Sequence, residues 1–218
     1  MNQQSEDRRD FLKRASMAAI ALPLSMGCVT GTPAKKTENE LSLIKKNAMP
    51  SGTEARGAID APDDVSWKTA LSKKSNKDEP MIISGTVFQP DGKRGAPNIL
   101  IYFYHTDSEG YYGRRGKVRD GHFRGWLLTD ANGKYEFSSI KPAPYPNRAV
   151  AAHVHMTLTG RNFKEDSINA MLFEGDKFIT TEERKSVGKR GEFIPILKLE
   201  KGADGIMRGT RDIQLWRV

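Results

Sequence analysis

The stretch Ala151-Ala152-His153-Val154-His155-Met156-Thr157-Leu158-Thr159 holds the residues best suited to chemistry. Along an extended strand, successive side chains point to opposite faces. His153, His155 and Thr157 therefore share one face, while Val154, Met156 and Leu158 turn to the other. Two imidazoles two residues apart on one face can both reach a single metal ion. Imidazole serves iron, zinc, copper and nickel alike, so the pair alone selects no metal. A polar, solvated sheet face would show the same pattern. Two tyrosine-bearing segments lie upstream. Tyr145 stands among prolines in Ile140-Lys141-Pro142-Ala143-Pro144-Tyr145-Pro146, and prolines fix φ and reduce the freedom of the open chain, so this loop can hold Tyr145 in one pose. Gly110-Tyr111-Tyr112-Gly113 closes a loop that begins at Tyr104-His105-Thr106-Asp107. Taken singly, each tyrosine reads as an aromatic packed at a sheet edge.

Such residues need rigid carriers, and the sequence offers strands. Residues 81–88 read as a strand followed by the turn Gln89-Pro90-Asp91-Gly92. Residues 99–104, Ile-Leu-Ile-Tyr-Phe-Tyr, form an unbroken apolar and aromatic run fit for a strand buried on both sides. Asp130-Ala131-Asn132-Gly133 is a turn between strands at 126–129 and 134–137. Further strands are expected through 150–159, 168–173, 194–200 and 211–217, with one short helix within 180–190. Short strands with turn signals at this spacing predict an all-β fold, an antiparallel β-sandwich over residues 79–218. Residues 29–78, rich in Lys, Ser, Thr, Asn, Gly and Pro, read as an irregular tether that wraps the domain through Trp67 and Leu71.

Residues 85–176 resemble the intradiol ring-cleavage dioxygenases, the family of protocatechuate 3,4-dioxygenase and catechol 1,2-dioxygenase. The matching pieces are Gly85-Thr86-Val87 with Asp91-Gly92, then Asp107-x-x-Gly110-x-Tyr112, then Phe123-Arg124-Gly125 with Thr129-Asp130-x-x-Gly133-x-Tyr135-x-Phe137. They continue through Ile140-Lys141-Pro142-x-Pro144-Tyr145-Pro146, His153-x-His155 and Phe173-Glu174-Gly175-Asp176. No piece is specific alone; their order and spacing are. The resemblance implies a mononuclear non-haem Fe(III) held by Tyr112, Tyr145, His153 and His155, with Gly110-x-Tyr112 selecting Tyr112 over Tyr111. It implies a catecholic substrate and O2 as partners, ring cleavage between the two hydroxyls, and a cis,cis-muconate-type product. Tyr145 is then the axial ligand that substrate displaces and that accepts a substrate proton. The resemblance further implies association into a homo-oligomer, although no segment here identifies an interface.

Two positions depart from the family. An arginine usually stands three residues before the first histidine; Val150 occupies that place, with Arg148 two residues further back. A second basic position, just before the Leu-x-Thr-Asp turn, holds Trp126. Loss of a buried positive charge weakens stabilisation of a developing anion by on the order of 1–3 kcal/mol. Arg124 and Arg148 are the candidates to compensate, and Val150 and Trp126 are candidate substrate-facing positions. Two other readings follow: a catalytically weak or inactive β-sandwich that binds or scaffolds in the cell envelope, and a zinc or copper site built on the histidine pair alone. His105 and His122 read as surface or loop residues. Glu174-Gly175-Asp176 reads as a loop-shaping element.

The bulk composition narrows the field. The chain has 218 residues, 37% hydrophobic and 28% charged, enough for one globular domain plus extra length at an end. A net charge of +8 invites a nucleic-acid reading, but the basic residues are scattered in short groups. No helix-turn-helix, zinc-finger or aromatic RNA-binding signature accompanies them, so no nucleic-acid partner is expected. The single cysteine, Cys28, permits no intrachain disulfide. Residues 7–13, Asp-Arg-Arg-Asp-Phe-Leu-Lys, resemble the twin-arginine export signal, and the apolar run at 15–26 is too short for a stable membrane span. Residues 1–28 are thus expected to be a signal peptide. The protein is then periplasmic, or anchored to the envelope if Cys28 is lipidated.

Overall fold

The structure, a computed structural model, describes residues 39–49, 57–71, 78–112, 122–186 and 193–216, all within one compact unit, Glu38–Val218. The expected signal peptide, with its arginine pair and Cys28, lies outside the described residues. The architecture is the expected β-sandwich. One sheet has the order β1 (Lys68–Ala70), β5 (Lys134–Ile140), β2 (Pro80–Phe88), β11 (Met207–Thr210) and β10 (Glu200–Lys201), with β12 (Ile213–Gln214) also paired to β2. The other runs β4 (Phe123–Leu128), β3 (Leu100–His105), β6 (His153–Gly160), β8 (Met171–Phe173) and β9 (Ile196–Leu197), with β7 (Phe163–Ser167) on β6. The long pairings β2–β5, β3–β4 and β3–β6 are antiparallel, while the short strands β1, β9, β11 and β12 add parallel pairings.

The inner faces bury Ile83, Val87 and Phe137 against Phe103, Leu127, Val154, Met156 and Leu158. The Phe103 and Phe137 rings stack 4.2 Å apart across the gap. Strand β3 is buried on both faces as its sequence predicted. Its outer cover comes from the segment expected to be a tether. A helix, α1 (Glu40–Lys45), and a 3-10 turn at Ala58–Asp60 place Leu41, Ile44, Ala58 and Ala61 against Leu100. Six residues are too few for a helix to stand alone in water. Burial of Leu41 and Ile44, roughly 1.5–3 kcal/mol each, and the Asn39 side chain capping the Ser42 amide at 2.7 Å hold it. Two apolar residues at a helical spacing are a faint signal, which is why the sequence predicted no element here. A second helix, α2 (Thr181–Lys185), falls in the expected 180–190 window and opens with a Thr180/Glu183 capping box. Strands β1, β7 and β11 were not anticipated; they are short and carry charged or glycine-bearing sequences.

A buried carboxylate secures the outer segment. Glu165 on β7 accepts from Thr157 Oγ1 on β6 at 2.7 Å, from the Ala58 amide at 3.1 Å and from the Met49 amide at 2.9 Å. Gly57 is required beside it, because a Cβ there would lie 1.5 Å from Glu165 Oε1. Asn47 adds bonds from Nδ2 to the carbonyls of Gly160 and Arg161.

Register then sets the outer face of the second sheet in rows. Arg124, Tyr104 and His155 are direct cross-strand partners, as are Trp126, Tyr102 and Thr157. One alternate position places His105 opposite Phe123 and Val154 on the inner face. This corrects the expectation of a surface or loop residue for His105, which is fully buried. The strand period carries its ring inward to stack on Phe123 at 5.2 Å. His122 is exposed, as expected.

Candidate metal centre

Two loops deliver the tyrosines. In the first, Asp107 Oδ1 accepts from the amides of Glu109 and Tyr111, both at 2.9 Å, and the Gly110 amide closes the turn on the Asp107 carbonyl. Gly110 has φ +84°, and a Cβ there would meet the Pro144 carbonyl at 2.1 Å. Asp107-x-x-Gly110-x-Tyr112 is therefore a turn whose acid caps it and whose glycine lets the second loop approach. That second loop, residues 141–146, is sewn on by Thr106 Oγ1 donating to the Ala143 carbonyl at 2.7 Å and by the Ala143 amide donating to the Asp107 carbonyl at 3.1 Å. Tyr112 and Tyr145, 33 residues apart, are thereby brought oxygen to oxygen at 2.6 Å.

Strand β6 presents the histidines to the same point. Nε2 of His153 lies 3.0 Å from Nε2 of His155, 3.2 Å from the Tyr145 hydroxyl and 3.5 Å from the Tyr112 hydroxyl. Nε2 of His155 lies 3.1 Å from the Tyr112 hydroxyl. His153 Nδ1 sits 2.7 Å from the Ala151 carbonyl. A carbonyl only accepts, so Nδ1 carries a proton, and in the neutral ring Nε2 turns a bare lone pair to the cluster. Burial, with a smaller effect of neighbouring His153, lowers the His155 pKa to about 4, which leaves its ring neutral near pH 7. The Tyr104 ring stacks on His155 at 4.6 Å.

Five close contacts thus join two hydroxyls and two ring nitrogens. These groups have at most three protons to share: one on each hydroxyl and one on His155 Nε2. A shared cation satisfies every lone pair at once, and donor atoms about 2 Å from one metal lie about 3 Å from each other. Among the described residues, no three His, Cys, Asp or Glu side chains group into a metal site. The convergence exists only because tyrosines complete it, which disfavours a zinc or copper site resting on the histidine pair alone. Phenolate oxygens are hard, anionic donors suited to a trivalent cation such as iron(III).

The other predicted residues flank this point. Arg124 is half-buried, its guanidinium 5.4 Å from the Trp126 ring centroid. The Trp126 indole donates to the Gly57 carbonyl at 2.9 Å and packs 5.4 Å from Tyr102, one row along the sheet from His155. Arg148 and Val150 are exposed on the connection between Tyr145 and His153. Asp176 was read as shaping a loop; it also bonds the backbone next to His153, with Oδ2 2.8 Å from the Ala152 amide. Nothing in the local sequence signals that contact, which joins residues 24 apart. A separate groove of about 920 Å³ crosses the outer face of the first sheet. No tyrosine or histidine lines it, and its Glu136, Lys198 and Arg208 are in ion pairs with Lys68, Glu200 and Asp204.

Comparison with known proteins gives the family and the fold. A family model described as Dioxygenase (Dioxygenase_C) matches residues 59–212. Catechol 1,2-dioxygenase 1 of Acinetobacter lwoffii is 30% identical over 153 residues, 60% of this chain and 48% of its own length. The protocatechuate 3,4-dioxygenase beta chain of Burkholderia cepacia is 28% identical over 139 residues, 59% of this chain and 57% of its own. The chain thus spans about half the length of the curated relatives it matches. Among solved structures, the dioxygenase domain of a dioxygenase–carbohydrate-binding protein fusion from Streptomyces sp. SirexAA-E superposes with a TM-score of 0.53 at 23% identity, covering 72% of this chain and 92% of that one. Catechol 1,2-dioxygenase from Acinetobacter sp. ADP1 gives a TM-score of 0.54 at 16% identity, covering 71% and 58%. These two likenesses establish a common fold.

Proposed function

The chain belongs to the intradiol dioxygenase family, and on that premise we propose that it is an Fe(III) enzyme that cleaves a catechol between its two hydroxyls with O2. The observation that carries the reading is the convergence of Tyr112, Tyr145, His153 and His155 through five contacts of 2.6–3.5 Å. Members of the family use Fe(III), and these four side chains fit it in number, hardness and placement. Bound there, the iron would act as Lewis acid and template, chelating the catechol and readying its ring for O2.

The chain's own residues divide the remaining work. The family resemblance makes Tyr145 the ligand that would give way to substrate, and its phenolate oxygen would take one of the two catechol protons, the other leaving to solvent. Tyr112, capped into place by Asp107, remains. His153 and His155 stay as neutral donors, one fixed by the Ala151 carbonyl and the other by the Tyr104 ring. Tyr102, Tyr104 and Trp126 form a chain of stacked and tilted rings that begins at His155. Arg124, in the cross-strand row of His155, and Arg148, on the connection from Tyr145 to His153, are the cations proposed to offset anionic charge developing on the ring. Both atoms of O2 end in a cis,cis-muconate-type product. From residues 7–13, which resemble a twin-arginine signal, we propose separately that the protein is exported to the cell envelope, with or without a lipid on Cys28. Changing Arg8 and Arg9 to lysine should leave it in the cytoplasm on fractionation.

The test is the visible spectrum of the iron-supplied protein, before and after a catechol is added without oxygen. A tyrosinate-to-iron(III) band that moves to longer wavelength with catechol, followed by muconate formation when O2 is admitted, supports the proposal. A colourless protein with full iron occupancy removes Tyr112 and Tyr145 from the ligand set and overturns it. A second reading, a binding or scaffold protein of the envelope, draws on Val150 and Trp126 standing where the family usually has basic residues. A coloured protein that binds catechol and yields no product would favour it.

A further inference from the structure

One peptide group beside the candidate metal centre is bonded at both ends. Its amide, on Ala152, donates to Asp176 Oδ2 at 2.8 Å. Its carbonyl, on Ala151, accepts from His153 Nδ1 at 2.7 Å. The peptide unit is planar and conjugated, so N–H and C=O polarise as one dipole. A carboxylate drawing on the N–H end increases the negative charge on the carbonyl oxygen, and hydrogen bonds in such a chain strengthen one another. We propose that Asp176 is a positioning residue that acts through this peptide. It holds His153 in the Nδ1–H tautomer and raises the donor strength of Nε2, as a carboxylate does when it meets a metal-bound imidazole directly. The inference rests on the reading that His153 is a ligand.

The surroundings are built to keep Asp176 in this role. Its Oδ1 accepts from the Phe178 amide at 2.9 Å, and its own amide donates to the Phe173 carbonyl at 3.2 Å. Gly175 takes the left-handed conformation, φ +90°, that turns the chain sharply between them. Phe173 ends β8, whose Leu172 is the cross-strand partner of His153. The turn therefore starts one residue from the strand pair it stabilises. Ala151 and Ala152 are themselves buried, so water does not compete for the shared peptide. Its neighbour Glu174 faces outward, paired with Arg184 at 2.8 Å, and serves as an internal control.

The experiment compares the full chain with its Asp176→Asn and Glu174→Gln variants. In the metal-free proteins, nitrogen chemical shifts of the His153 ring report its tautomer. The wild type and Glu174→Gln are expected to hold Nδ1–H, and Asp176→Asn to show a mixture. In the iron-loaded proteins, Asp176→Asn should bind iron roughly 10–100-fold more weakly. Its tyrosinate band should move to longer wavelength, because a weaker imidazole leaves the metal a stronger acceptor. A tautomer and an iron affinity both unchanged in Asp176→Asn overturn the proposal. So does equal loss in Glu174→Gln, which would mean that only the loop matters. Should Asp176→Asn not fold, the wild type decides the matter. A charge-assisted bond requires a strongly downfield, slowly exchanging Ala152 amide proton, and an ordinary, fast-exchanging one refutes the relay. A protein that shows the tautomer effect and takes up no iron would refute the proposed function while leaving the relay standing.

Discussion

His105 and His155 sit on adjacent strands of one sheet, on opposite faces, and differ in what their nitrogens meet. Both have pKa values lowered to about 4, in each case chiefly by burial. His105 spends both nitrogens inside the protein, Nδ1 on the Thr106 carbonyl at 2.7 Å and Nε2 on Ser139 Oγ at 2.8 Å. His155 turns Nε2 to a second imidazole and a phenol. The inner histidine helps place the Thr106 carbonyl, while the Thr106 hydroxyl anchors the Tyr145 loop. Burial and a depressed pKa thus mark both a structural and a ligand-type histidine. What separates them is whether their lone pairs are already satisfied.

The comparison breaks most visibly at the metal. His155→Ala should lose iron almost entirely, by more than the roughly 10–100-fold that outer partners are worth, whereas His105→Gln should keep it. Iron-to-protein ratios after purification decide, and near-normal iron in His155→Ala would erase the distinction. Tyr145→Phe comes next: it should retain some iron and lose about 10²–10⁴-fold in kcat, since it removes the proton acceptor and leaves the histidines in place. Gly110→Ala should follow. It forces a left-handed backbone on alanine and a 2.1 Å clash with Pro144, costing on the order of 1–3 kcal/mol. It should also separate the tyrosines, read as a weakened tyrosinate band.

The smallest effect sharpens the inner side of the comparison. Because the folded pKa of His105 lies below its ordinary value of 6.5, the unfolded chain binds this proton first. The stability due to neutral His105 is fully present above about pH 6.5 and is lost as pH falls toward 4. The slope is about 1.4 kcal/mol per pH unit. Urea midpoints of the metal-free protein between pH 7 and 4 should show this loss, and His105→Gln should flatten it by one proton's worth. An unchanged slope would mean that His105 is solvated after all.

Much of this arrangement was legible in the residues. The alternation through His153, His155 and Thr157 predicted a strand and the face it shows, and β6 follows it. Asp107, Gly110 and Tyr112 stood out only as a family motif, and the structure shows it to be a capped turn with a left-handed glycine. Other features were not legible. His105 reads from the sequence as a surface or loop residue, and nothing in Tyr-His-Thr-Asp tells which face of β3 reaches the core; that depends on its pairing with Phe123 and Val154. The cover over Leu100 went unseen because Leu41 and Ile44 become a helix only when a sheet is there to bury them. Asp176 showed only as a turn residue, since its partner amide lies 24 positions away.

By itself the sequence determined the elements and the chemical types: a β-rich chain, two histidines on one strand face, one tyrosine in a loop stiffened by proline and another in a turn made possible by glycine. Those follow from local rules of backbone period and turn geometry, which need no distant partner. Tertiary structure alone decided that four polar atoms from three separate segments would meet within 3.5 Å. It also decided which histidine would be spent on the core and which carboxylate would reach the backbone beside His153. Such contacts depend on sheet register and loop docking, where a shift of one residue reverses the face and dissolves the site.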